Sequence, residues 1–361
     1  MPKMISPRAT WRLLRAGNLR GRLQVTRDGQ AAIRLNLVAA ALATGVLDAL
    51  AEGPARTAGL AARTSAVDVD LLAAFLRVLT AAGVIQGDGE GPWRLTAHGR
   101  AAVEDDLVRA SCEAFAGFHT GLYRDLRGGL TGGSGRRDVV EAGGVIARVS
   151  AAFDPFVDHL LVGAVRELRP RRVLDIGCGA GLQLATMLET APGAAGVGID
   201  SDADAVKLAA GTLERRGLTG RADVLEADVR QAAGDRSGPL AEPFDLALLA
   251  NIVYYVPPSE RAALFAAIAG LLAPGGQLVV VTTVAAPQLF SRHFDLLLRA
   301  QEGAMELPEP AALAAQLTDA GLHPQPPVRL APGAPIVAVA ATLAADSTAS
   351  GGKFPLVTSP A

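Results

Sequence analysis

Along the second half of this 361-residue chain, short continuous apolar runs alternate with stretches whose apolar residues recur at helical spacing. The runs are "VLDI" (173–176), "GVGIDSD" (196–202), "ADVLEADVR" (222–230), "FDLALLANIVYY" (244–255) and, after a Pro-Gly-Gly turn, "QLVVVTT" (277–283). Between them lie "LQLATMLET", "ADAVKLAAGTLERRG" and "RAALFAAIAGLL", the last followed by a Pro274-Gly275-Gly276 turn. Apolar runs of this length, separated by helices, predict parallel strands buried on both faces, hence a doubly wound α/β sheet. In such a sheet ligands sit at the carboxyl ends of the strands, and here those ends carry Asp200, Asp228, Asn251, Tyr254 and Tyr255.

The first run leads directly into Gly177, Gly179 and Gly181. Glycines at this point let the backbone turn sharply and come within contact distance of a nucleotide, although the same residues would serve packing alone. Dinucleotide folds use G-x-G-x-x-G/A, and counted from Gly177 the sixth place is Leu182. The pattern is instead acid-x-G-x-G-x-G, opened by Asp175. On "VLDIGCGAG", the acids Asp200 and Asp228, "FDLALLAN" and "LLAPGGQLVV", residues 165–343 resemble the class I S-adenosylmethionine-dependent methyltransferases. The resemblance implies S-adenosyl-L-methionine as cofactor, held by Asp175, Gly177, Gly179, Gly181, Asp200, Ser201, Asp228, Val229 and Asn251. It also implies a final antiparallel strand, which "APIVAVAATLA" (334–344) fits.

The first hundred residues read differently. "LNLVAAALATGVLDALA" (35–51) reads as a buried helix. Residues 56–103 read as helix, helix and a short hairpin with Gly87-Asp88-Gly89 at its tip, a winged-helix order. The second helix carries Asp68 and Asp70 against one Arg77, which offers DNA phosphates little attraction. Joined to a methyltransferase domain, this unit resembles the N-terminal dimerisation domain of small-molecule O-methyltransferases, which implies a homodimer. The expected boundaries are 1–105 for the helical domain, 106–165 for a linker with substrate-covering helices, 166–344 for the Rossmann-like catalytic domain, and 345–361 for a disordered tail. Within the linker, "RGGLTGGSGRR" (127–137) reads as a flexible segment. Phe115, Phe118, His119, Tyr123, Phe153 and Phe156 are either wall residues of an acceptor pocket or ordinary helix packing.

A net charge of −2 provides no global field to recruit nucleic acid or acidic lipid. Two cysteines, Cys112 and Cys178, make no disulfide framework and suit a cytoplasmic protein, and no segment reads as a membrane span or signal peptide. No His and carboxylate stand at metal-ligand spacing, so no metal is expected.

His-dependent members of the resembled family place a His-Asp-Trp run after the fourth strand, and here that place holds Tyr254-Tyr255-Val256. A tyrosine with its ordinary pKa near 10 is a hydrogen-bond donor at neutral pH rather than a base. His293, in "QLFSRHFDLLLRAQEGAMELP" with Glu302 nine residues on, is the substitute proton acceptor, ahead of His159, His119 and His98. The expected catalytic residues are therefore His293, Tyr254 and Asn251. The expected function is in-line methyl transfer to the O, N or C atom of a small, secondary-metabolite acceptor. The alternative is a non-catalytic regulatory or scaffold protein that keeps the cofactor fold and contacts DNA through the winged helix.

Overall fold

The structure is a computed structural model that describes residues 17–89 and 91–345, together with Arg8, Trp11, Arg12 and Arg15. Contacts divide the chain into two units: one runs to Arg124 and takes in Gly144–Val149, the other comprises Asp125–Gly143 and everything from Ser150. The stretch 106–165, read above as one connector, is thus shared between them. The tail expected at 345–361 lies, beyond Ala345, outside the described residues.

In the first unit, side-chain caps set the starts of three later helices. Helix α1 (Leu19–Ala43) ends at Thr44-Gly45, and Gly45, at φ +71°, turns the chain into α2 (Val46–Ala51). The single helix expected over 35–51 is therefore two, because an alanine-rich pattern continues across a glycine that the backbone uses to turn. Helices α3 (Thr57–Thr64) and α4 (Val69–Ala81) follow, with Asp68 accepting the Leu71 N–H at 2.8 Å to cap α4. A hairpin of β1 (Ile85–Gln86) and β2 (Arg94–Leu95) comes next, then α5 (Ala97–Glu104), capped by Thr96, and α6 (Asp106–Ala114), capped by Asp105. Leu37, Leu47, Leu60, Leu76, Leu79, Ile85 and Trp93 form the core of this unit. Gly99 is required there, because a Cβ would stand 2.2 Å from the Val84 carbonyl oxygen. After α6 a single wide turn, Phe115–His119, stacks His119 against Phe115 and Phe118 at ring separations of 4.7 and 4.6 Å.

The second unit is built on one sheet with the order β5-β4-β3-β6-β7-β10-β8. Its strands are β3 (Arg172–Ile176), β4 (Ala195–Asp200), β5 (Ala222–Glu226), β6 (Phe244–Ala250), β7 (Leu272–Thr283), β8 (Leu322–Pro324) and β10 (Ile336–Leu343); β9 (Val328–Arg329) pairs with β10. The pairs from β5 to β7 are parallel and β10 runs antiparallel to β7, as the sequence pattern predicts. One face of the sheet, with Leu174, Ile199, Leu249 and Val280, packs on Leu264, Phe265 and Ile268 of a helix at Arg261–Leu271 and on Leu313 and Leu317 of another at Pro310–Asp319. The other face, with Val173, Leu246, Leu248 and Val279, packs on helices at Asp154–Leu168, Leu182–Thr190 and Ala203–Arg215. Burial on both faces explains why β3, β4, β6 and β7 are apolar without alternation, whereas β5, at the edge of the sheet, has no fully buried residue and carries Asp223 and Glu226. The Pro274-Gly275-Gly276 turn lies within β7 as a bulge: Leu272 pairs with Phe244, and the ladder resumes at Gln277 opposite Leu246. Strands β4 and β5 are laid to one side of β3 and β6 to the other, so the chain reverses direction across the sheet at β3.

The segment read as flexible, 127–137, is instead fastened at its end. Arg136 donates its N–H to Ala300 O at 2.8 Å and accepts from Glu302 N at 2.9 Å. The Arg136 guanidinium grips Asp138 at 2.7 and 2.9 Å and pairs with Asp125, and Gln301 Nε2 donates to Asp138 at 2.8 Å. Paired in this way, the arginine contributes to order what its glycine-rich surroundings alone would leave loose.

Candidate functional site

The carboxyl end of β3 turns through three left-handed glycines, Gly177 (φ +69°), Gly179 (φ +52°) and Gly181 (φ +72°). Each has a different reason to lack a side chain. A Cβ on Gly177 would stand 2.4 Å from Ile252 Cδ1, and one on Gly181 would stand 3.0 Å from the Ala209 Cβ. Apart from its chain neighbours, a Cβ on Gly179 would meet no atom of the described residues within 4 Å, so its conformation leaves an open face rather than filling a packed one. The Gly177 and Cys178 N–H groups donate to Ile199 O at 2.7 and 3.1 Å, which ties the turn to β4. Gly181 then leads into the helix Leu182–Thr190, whose amino terminus points at the turn.

Acidic groups border this turn. Asp200, at the end of β4, accepts the Gly179 N–H at 2.9 Å through one oxygen and the Asp202 N–H at 3.0 Å through the other. Ser201, beside it, is exposed. Asp175, within β3, is buried and accepts the Leu184 N–H, while its Oδ2 has no hydrogen-bond partner among the described residues. Burial is the main cause that pushes its carboxyl up to about 7, with the charge of Asp200 adding to it. Gln183, in the first turn of the helix, donates to Asp154 at 2.9 Å and so ties the helix Asp154–Leu168 to the turn. Burial and then Asp158 push the Asp154 carboxyl up to about 6.

Asp228 follows β5. The Ala227 N–H donates to Asp200 O at 2.9 Å, which sets Asp228 beside the end of β4. Its carboxylate caps the short helix Val229–Ala232, in which Val229 is buried, and is gripped by Arg230. That grip is the main cause that holds its carboxyl below the usual range.

Beyond β6, the Asn251 N–H donates to Val281 O at 2.8 Å, and Asn251 adopts φ +58°. This left-handed residue turns the chain so that Ile252 lies over Gly177, and Val253–Tyr255 then make a tight turn. Tyr254 is buried among Leu298, Leu307, Phe294 and Met305. Its ring meets Tyr255 at 4.6 Å and Phe294 at 5.2 Å, both edge-on, and its hydroxyl donates to that of Tyr255. Burial raises both phenols, Tyr254 well above its ordinary value and Tyr255 to about 12. His293 precedes Phe294 on the helix Leu289–Arg299, is half-buried, and has its pKa lowered by that burial. Glu302 pairs with Arg137 at 3.8 Å.

The sequence-predicted residues therefore fall in two groups. Asp175, Gly177, Gly179, Gly181, Asp200 and Asp228 gather at the ends of β3, β4 and β5; Asn251 and Tyr254 follow β6, with His293 on a helix whose Phe294 touches Tyr254. Of the six aromatics proposed as wall residues, Phe153 packs on the core under the helix Asp154–Leu168. Tyr123 and Phe156 are exposed. Sequence reasoning missed Ile252, Arg230 and Arg261. Buried Arg261 donates to Val256 O at 3.0 Å and Glu306 O at 2.5 Å, joining the Tyr254 turn to the segment beneath it.

Residues 173–276 match the family model of a methyltransferase domain. This part of the chain is a methyltransferase domain. The release factor glutamine methyltransferase of Rhodospirillum rubrum is 38% identical over 93 residues, which are 26% of this chain and 26% of that protein. The match thus spans about a quarter of the relative's length. The fold extends the likeness beyond the methyltransferase domain. The mitomycin 7-O-methyltransferase MmcR superposes with a TM-score of 0.74 at 22% identity, over 90% of this chain and 98% of that one. Human N-acetylserotonin methyltransferase in complex with SAM gives 0.66 at 18%, over 91% and 99%. An O-methyltransferase from neocarzinostatin biosynthesis, in complex with SAM and 2-hydroxy-5-methyl naphthoic acid, gives 0.63 at 22%, over 86% and 96%. Among the described residues no helix is long and apolar enough to cross a membrane, and no group of His, Cys, Asp and Glu is arranged to hold a metal ion.

Proposed function

We propose that this protein transfers the methyl group of S-adenosylmethionine to a small-molecule acceptor of secondary metabolism, in the cytoplasm and as a homodimer. The observation that carries the reading is the open face of Gly179, bordered by the carboxylate of Asp200, which accepts the Gly179 N–H. A cationic, ribose-bearing ligand suits this donor set. The glycine turn admits close approach, Asp200 takes the ribose hydroxyls, the Asp175 side faces the methionine part, and Ser201, Asp228, Val229 and Asn251 border the remainder.

When bound, the sulfonium supplies an electrophilic methyl carbon, so the protein's main task is to align a nucleophile with it. Tyr254 and Tyr255, with phenols raised by burial, stay protonated at neutral pH and act by packing and hydrogen bonding. Asn251 orients the acceptor beside them. His293, whose lowered pKa keeps it neutral, accepts the proton that a hydroxyl or acidic carbon must lose, and an amine acceptor needs no such step. Supporting the dimer, α4 of the winged-helix-like unit leaves Val69, Leu71 and Val78 exposed, and Val67 just before it is 97% exposed.

Calorimetric titration with S-adenosylhomocysteine, followed by mass spectrometry of methylated products from a panel of phenolic, amine and enol metabolites, tests the reading. Micromolar binding and transfer to one panel class are expected. Absence of binding by folded protein would overturn it.

A further inference from the structure

Arg230 stands two residues beyond Asp228 and does more than neutralise it. The Asp228 carboxylate accepts the Arg230 backbone N–H at 2.8 Å. It also accepts Arg230 Nε at 3.1 Å through each oxygen and Nη2 at 2.6 Å. Nη1 reaches across to Glu260, the residue before the helix Arg261–Leu271. Both ends of the guanidinium are thus fixed, by an acid after β5 and by an acid that follows β6. The pair stays accessible, with side chains 30% exposed for Asp228 and 39% for Arg230. The Ala227–Asp200 hydrogen bond keeps it one residue from the acid assigned to the ribose.

A lone carboxylate is an acceptor only, so it favours a 6-aminopurine edge and repels a 6-oxo group. A guanidinium is a donor only, with five N–H groups in a fixed fork. Resting on the cofactor reading above, we infer that Asp228 and Arg230 together form the subsite for the purine edge. Asp228 supplies the acceptor, Arg230 supplies a donor, and Glu260 holds that donor in place. The subsite therefore tolerates a 6-oxopurine ligand, in which O6 accepts from Arg230 and N1–H donates to Asp228, alongside the 6-aminopurine of the ordinary cofactor. Arg230 is a specificity-determining residue of this methyltransferase domain.

The test measures affinities for S-adenosylhomocysteine and S-inosylhomocysteine by calorimetry on the full chain. Wild-type protein is expected to prefer the adenosyl ligand by tenfold or less. Arg230→Leu removes the donor and leaves the bare acid, so the preference should rise about tenfold or more over wild type, chiefly through loss of inosyl affinity. Arg230→Gln keeps a donor and should restore an intermediate ratio, while Glu260→Gln keeps Arg230 itself and should move the ratio less than Arg230→Leu. Using the ratio separates the effect from a general loss of fold, which lowers both affinities together, and Arg230→Gln preserves the test if Arg230→Leu does not fold. A ratio unchanged by Arg230→Leu, with adenosyl binding retained, would overturn the inference and leave the cofactor reading standing. Wild-type protein that binds neither ligand would overturn both.

Discussion

Gly177 and Gly179 have similar backbone conformations but opposite surroundings, so alanine at each separates stability from ligand binding. Both sit at positive φ, +69° and +52°, where a Cβ costs about 1–2 kcal/mol. At Gly177 the added methyl also stands 2.4 and 2.6 Å from Ile252 Cδ1 and Cγ1. Overpacking of this kind costs about 1–3 kcal/mol, and because the obstructing atoms lie toward the end of a half-buried isoleucine, the lower part of that range applies. Gly177→Ala should therefore lose about 2–4 kcal/mol of stability, and Gly179→Ala only about 1–2. Binding should reverse the order, since the Gly179 methyl occupies the open face proposed for the cofactor while the Gly177 methyl points into Ile252. Urea unfolding of both variants, with calorimetric titration of S-adenosylhomocysteine, reads the two effects separately. Adding Ile252→Ala to Gly177→Ala should recover the packing part of the cost but not the backbone part, so the double variant should be less destabilised than the sum of the singles. Equal stability losses at the two glycines, or wild-type affinity in Gly179→Ala, would refute the reasoning.

Asp200→Ala removes charge-assisted hydrogen bonds to the ribose and should weaken S-adenosylhomocysteine binding by about 1.5–3 kcal/mol, measured by calorimetry; unchanged affinity would sink the assignment. Tyr254→Phe keeps the ring and loses one hydrogen bond, so turnover should stay within about tenfold of wild type. His293→Ala should lower kcat by about 10²–10⁴ for a hydroxyl or acidic-carbon acceptor and have little effect for an amine; near-abolition by Tyr254→Phe with His293→Ala silent would reverse the roles. Asp175 makes stability pH-dependent: its folded pKa, about 7, lies above the unfolded value near 3.9. Its contribution is therefore fully present below about pH 4, falls as pH rises toward 7, and changes no further above that, by up to about 4 kcal/mol. Chemical unfolding between pH 4 and 8 should show this fall in ligand-free wild type and lose that component in Asp175→Asn; identical pH profiles would count against it.

The sheet was legible in the sequence because parallel strands buried on both faces are written as unbroken apolar runs, and each helix between them has a local start or stop. The helix at Leu182–Thr190 begins where Gly181 turns the chain and ends before Pro192, and both signals are adjacent in sequence. The glycine turn was legible for the same reason, since its three positive-φ positions are spelled by residue type. Less visible were contacts made across the fold. The Gln301–Asp138 hydrogen bond joins residues 163 positions apart, so the glycine content of 127–137 suggested mobility where a bridge exists. Ile252 is an ordinary apolar residue until the left-handed turn at Asn251 brings it over Gly177. Arg230 falls between these cases. An aspartate that caps a helix, followed two residues later by an arginine, is a local pattern, and the Asp228–Arg230 grip follows from it. The reach to Glu260, 30 residues on, does not. The acid was therefore identifiable from its place after the third apolar run, but the donor beside it, which decides what edge of a purine that acid can accept, became visible only when the ends of β5 and β6 were brought together.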